Sequence, residues 1–173
     1  GTLPGEYIEG FAKLTNEGAI RASASLMFEQ MKLGEAYKSL GRGAAATLLP
    51  NSNFSLYGIK VIGDGSNQTK TGAQTVPYLG TQDKGAPNFD AATLKTMVAE
   101  VKAAGWPVLI HCNGDAAIDI SLDAIEAAYD ANPATGVNRI EHCTMVRADQ
   151  LARMKKLGVQ RSEEHTSELQ SHS

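Results

Sequence analysis

NFDAATLKTMVAEVKAAGWPVLIHC, Asn88 to Cys112, holds in one line the unit that decides the fold. Asp90 is an N-cap residue type, Leu94, Met97, Val98 and Val101 recur at helical spacing, and Gly105 stops the pattern. After Pro107 the run Val108-Leu109-Ile110 is wholly apolar, as in a parallel strand buried on both faces. It ends in His111, and an imidazole placed there needs a partner, structural or chemical. Asn113-Gly114-Asp115 then turns the chain toward the next helix, with Asp115 expected to cap a helix starting near Ala116.

The same plan recurs on both sides. In EYIEGFAKLTNEGAIRASASLMF, Tyr7, Ile8, Phe11 and Leu14 fall at helical spacing, Gly18 ends the helix, and Ile20 to Phe28 can run as a strand. In DAAIDISLDAIEAAYDANPATGVNRIEHC, Ile118, Leu122, Ile125 and Tyr129 share a helical face, and Asn138 to Cys143 is the strand. RADQLARMKKLGVQ begins the unit again. Helices alternating with short strands predict parallel βαβ units, and both a doubly wound sheet and a closed (β/α)₈ barrel fit. No GxGxxG follows a strand, which removes the commonest nucleotide-binding signal. In a barrel, the long connection from Gly65 to Asn88 lies on the C-terminal face, where active-site loops gather.

Composition narrows the function classes. The chain of 173 residues has 16 Lys and Arg against 19 Asp and Glu, so neither a nucleic-acid footprint nor a polybasic membrane patch is expected. No run approaches the ~18 apolar residues of a membrane span. Cys112 and Cys143 end apolar runs in a chain without a secretion signal, and are expected to be buried reduced thiols in a cytoplasmic protein. Gly1 is not an initiator methionine, which leaves room for a targeting segment upstream. The tail RSEEHTSELQSHS, residues 161–173, has no apolar periodicity and resembles a translated sequencing adapter, so the fold is read from residues 1–160.

Three polar residues fall on consecutive apolar strands: Lys60 within LYGIKVIGDGS, His111 ending VLIHC, and His142 ending NRIEHC. Each is separated from the next by at least one βα unit of about 30 residues, which would bring all three to the same end of a parallel sheet. Lys60 has a structural reading as a salt bridge to Asp64. It also has a chemical one: desolvation favours the neutral amine, which can take up carbon dioxide as a carbamate and bridge cations. Each histidine alone reads as a hydrogen-bonded core residue, whereas two at corresponding strand ends, after a lysine, shift the reading toward a metal site. A structural Cys₂His₂ zinc built from the two His-Cys dipeptides conflicts with strand alternation, because inward histidines send the cysteines toward the helices.

With these residues in view, GIKVIGDGS, PVLIHCNGDAAIDISLDAIEAA and NRIEHCTMVRADQLARMKKLGV resemble the metal-dependent amidohydrolases, in the branch similar to N-substituted formamide deformylases. The resemblance covers most of residues 57–160. It implies an α/β fold, a partial (β/α)₈ barrel running roughly from the third to the start of the seventh βα unit, with one or two divalent ions, usually zinc, at the C-terminal face. Lys60 would match the carbamylated bridging lysine and His111 and His142 the next two ligands, with Asp64 and Asp115 near the substrate pocket. The family's His-x-His pair and acid/base aspartate have no counterpart in these residues, so the 173-residue chain is expected to be inactive alone. The implied activity is hydrolysis of carbon–nitrogen bonds other than peptide bonds in a small amide-like substrate. A metal-dependent phosphoesterase on the same barrel and a non-catalytic binding protein are the rivals.

Overall fold

The computed structural model describes residues 7–18, 21–37, 53–129 and 136–162. Ile20, expected at the start of a strand, and residues 163–173 of the tail lie outside them. The elements run α1 (Ile8–Glu17), β1 (Ala22–Met27), a 3₁₀ turn (Phe28–Gln30), α2 (Met31–Ala36), β2 (Phe54–Ile62), α3 (Ala91–Ala103), β3 (Val108–Cys112), α4 (Asp115–Ala127), β4 (Arg139–His142), α5 (Ala148–Leu157) and β5 (Gln160–Ser162). The five strands form one sheet in the order β1-β2-β3-β4-β5, every pair parallel. Sequential order has no switch point, so the doubly wound alternative drops out and the sheet is an arc of a (β/α)₈-type barrel.

The helices cover one face. Leu94, Val98 and Val101 of α3, Ile118, Leu122 and Ile125 of α4, and Met154 and Leu157 of α5 share one core with Val108, Ile110, Cys112 and Ile140 from the strands. The α3 signals hold: Thr93 N–H donates to Asp90 at 2.7 Å, and Gly105 takes a φ of +82° just past the helix. Helix α1 corrects its sequence reading, because it buries Ile8, Ala12 and Thr15 and leaves Tyr7, Phe11 and Leu14 exposed. Ile8, Ala12 and Thr15 make its buried face, and Phe11 rests on the rim, its ring 6.4 Å from that of Phe54. Tyr129 is likewise exposed, beyond the end of α4. The boundary expected after Gln160 falls inside β5, where Arg161 pairs with Ile140 and Ser162 with Glu141. Among the described residues, no helix is long and apolar enough to cross a membrane.

A bulge in β2 decides which face Lys60 takes. Ala24 pairs with Leu56 but Ser25 with Gly58, so Tyr57 is an extra residue and the alternation shifts by one. Phe54 and Leu56 before the bulge, and Ile59 and Val61 after it, therefore all reach the helix-covered core. Lys60 faces the other way, into the concave side of the arc.

Candidate metal centre

On that concave side Lys60, 4% exposed, lines a cavity of about 160 Å³ with Ser23, Ser25, Tyr57, Arg139 and Glu141. Its register partner is Leu109, one inward-facing layer below His111. Glu141 pairs in register with His111 and accepts a 2.8 Å hydrogen bond from Arg139 Nε, while the Arg139 guanidinium lies 4.3 Å from the Tyr57 ring centre. The sequence reading passed over Glu141 and Arg139. Their spacing of two residues on a strand ending in histidine was the signal for a polar inner face.

The two histidines meet by different routes. His111 follows the regular alternation of β3. His142 is in register with Cys112, which faces the helices, and so would point away from His111 if β4 stayed extended. Instead Cys143 N–H bonds back to the Glu141 carbonyl at 3.0 Å, closing a three-residue turn around His142, whose φ is +73°. This is the strained, left-handed form of the γ-turn. It brings the two rings together edge to face, with centroids 4.5 Å apart.

His111 Nε2 lies 2.9 Å from the Gly65 carbonyl. A carbonyl oxygen only accepts, so at that distance Nε2 carries the proton that points at Gly65, and Nδ1 is the ring nitrogen outside that bond. Asn113 secures the arrangement, with Nδ2 donating to the same carbonyl at 2.7 Å and lying 3.1 Å from Nε2. His111 and His142 are the residues that could hold a divalent cation of the kind that takes imidazole nitrogen, with Lys60 one layer deeper. Among the described residues, no group of three or more His, Cys, Asp and Glu side chains converges on one point. Both cysteines are free and buried, and burial pushes the Cys143 thiol up to about 12 and raises that of Cys112 as well. Cys112 Sγ lies 3.1 Å from Ser121 Oγ on α4, as strand alternation requires.

Asp64 and Asp115 sit beside this pair in distinct roles. Asp64, 1% exposed, accepts from the backbone N–H groups of Ala73, Asn113 and Gly114 at 3.0, 2.8 and 2.8 Å, and its Oδ1 is 3.7 Å from His111 Nε2. Its oxygens thus tie the 65–88 connection to the turn after β3. Asp115 corrects the capping expectation. Gly114 is the N-cap of α4, and Asp115 is its first residue, turned outward to Thr75 N–H at 2.8 Å, Thr75 Oγ1 at 2.5 Å and Arg147 Nη1 at 2.9 Å. The α4 N-terminus is satisfied by the long connection itself, because Ala116 N–H donates to the Ala73 carbonyl at 3.0 Å. Burial works to raise the Asp115 carboxyl, but the bonds from Thr75 and Arg147 outweigh it and hold the group below its usual range. Arg147, read from sequence only as the start of another helix, is gripped by Asp149, Asp119 and Asp115, which raise its pKa above the ordinary value. Local sequence shows only Asp149, because Asp115 and Asp119 reach it from α4, 32 and 28 positions away.

Comparison with known proteins gives this geometry a family. The sequence matches the amidohydrolase family over residues 6–172. The chain belongs to the amidohydrolase family. Among solved structures, this chain is similar to an uncharacterized metal-dependent hydrolase from Pyrococcus horikoshii OT3, with 29% identity and a TM-score of 0.68, covering 88% of this chain and 30% of that one. A second, an uncharacterized metal-dependent hydrolase from Pyrococcus furiosus, gives 28% identity and a TM-score of 0.69, covering 90% of this chain and 31% of that one. The amidohydrolase chain thus spans under a third of the length of either structure. No curated protein matches it significantly.

Proposed function

We propose that these residues belong to a metal-dependent hydrolase of carbon–nitrogen bonds other than peptide bonds, with His111 and His142 as ligands of a divalent cation and Lys60, as its carbamate, as the third. The observation that carries the reading is the edge-to-face imidazole pair, assembled on neighbouring strand ends by a strained turn. A bound divalent ion supplies Lewis-acid polarisation of a carbonyl and lowers the pKa of nearby water. The chain's own residues hold the donors: Gly65 keeps the His111 proton on Nε2, the β2 bulge keeps Lys60 on the concave face, and Asp64 fastens the loop that borders both. Zinc is the ion we favour, and an amide or formamide the substrate. The resemblance of Lys60, His111 and His142 to formamide deformylase ligands supports that choice, and the adapter-like reading of residues 161–173 leaves that tail out of the site. With two imidazoles and one lysine as donors, the 173 residues alone are expected to turn over no amide.

The test is metal content and chelator-sensitive turnover of the complete gene product, with amide, formamide and phosphoester substrates side by side. His111→Gln and His142→Gln should each weaken cation binding by more than about 100-fold, beyond the effect of changing a ligand's hydrogen-bond partner. Purification without zinc, manganese or iron, and failure to take any of them up, would overturn the reading in favour of a binding protein. Selective phosphoester turnover would move it to the phosphoesterase.

A further inference from the structure

Asn113, 9% exposed, lies in the turn after β3 and contacts the loops that follow β2 and β4. Its Nδ2 donates to the Gly65 carbonyl at 2.7 Å, beside His111 Nε2, which shares that acceptor. Its Oδ1 accepts from Thr144 Oγ1 at 2.6 Å, and its backbone carbonyl accepts from Met145 N–H at 2.9 Å. Thr144 and Met145 follow directly on the turn that swings His142 toward His111. One side chain therefore touches the group that orients the first imidazole and the segment that holds the second. Asp64 anchors its backbone N–H at 2.8 Å, so Asn113 is itself fixed from below.

We infer that Asn113 is the positioning residue of the imidazole pair: it holds the Gly65 carbonyl where His111 must place its proton on Nε2, and pins the Thr144–Met145 segment so that the His142 ring packs edge to face with His111. The inference rests on the metal reading for its purpose but not for its geometry. With a hydrophobic residue at 113 the Gly65 carbonyl loses its second donor and Thr144 Oγ1 its acceptor. The His111 ring is then free to turn and to exchange its proton between nitrogens.

The test uses protein labelled with ¹⁵N in its histidine rings and kept metal-free, in which nitrogen shifts report which ring atom carries the proton. The His111→Gln variant assigns the His111 signals by their loss. Wild type should show His111 as the Nε2–H form alone. Asn113→Leu, and Asn113→Asp, which keeps the shape but loses the donor, should show both forms and bind zinc roughly 10–100-fold more weakly. Thr144→Val, which removes only the tether on Oδ1, should shift both readouts in the same direction by less, and decides the matter if the Asn113 variants do not fold. A wild-type His111 protonated on Nδ1 overturns the inference. So do folded variants that keep a single Nε2–H form and bind zinc within about twofold of wild type. If wild type binds no cation at all, the proposed function fails while the ring-proton result still decides the role of Asn113.

Discussion

The dipeptide His-Cys ends two neighbouring strands, yet the two copies are built differently. At 111–112 the chain stays extended, His111 faces inward and Cys112 faces α4, as simple alternation demands. At 142–143 both residues have positive φ, +73° and +51°, and the backbone itself turns to deliver the ring. The lesson is that strand alternation alone would have placed Glu141, not His142, beside His111. Glu141 does occupy that inward register, and the turn adds His142 to it.

The comparison can be broken most forcefully through Asp64, which supports the first copy by bonding Asn113 and Gly114 N–H. Asp64→Ala strands three buried N–H groups and should cost about 3–5 kcal/mol in urea unfolding. A loss under about 1 kcal/mol would show that water replaces the carboxylate and that the turn after β3 stands unaided. A more discriminating experiment places Gly and Ala at each histidine. In a left-handed turn His142→Gly should be more stable than His142→Ala by about 1–2 kcal/mol. In the extended strand the order should reverse, with His111→Gly about 0.5–1 kcal/mol less stable than His111→Ala. The same sign at both sites would remove the distinction between the two copies.

The smallest effect concerns acid. Asp115 links the loop after β2, through Thr75, to the loop after β4, through Arg147. Its folded pKa lies below that of an ordinary aspartate, so the stability it contributes is present above the ordinary value and is lost as pH falls through the folded pKa. Asp115→Asn should flatten the acid limb of a stability–pH curve while leaving neutral pH less affected than Asp64→Ala does. An unchanged acid limb would mean that the Thr75 and Arg147 bonds form no better to the ionised group.

Much of the frame was legible because local rules and tertiary packing agree there. The Asp90 cap, the Leu94 to Val101 stripe and the apolar β3 are each dictated by helical or strand period, and all three hold. Helix α1 shows where period fails: its large apolar residues are spaced correctly but stay exposed, since the sheet accepts the face bearing Ala12. The candidate ligands Lys60, His111 and His142 were visible as polar residues on buried strands. The supporting residues Asn113, Arg147 and Thr75 were not, because hydrogen-bond partners 30 to 40 positions apart leave no periodic trace.

By itself, then, the sequence determined the alternation of helix and strand, the parallel sheet and the residue types able to bind a cation, since these follow from side-chain period and burial cost. Tertiary structure alone decided which face each polar residue takes. A bulge at Tyr57 and a left-handed turn at His142 each change the alternation, and both depend on pairing with a neighbouring strand that local sequence cannot specify.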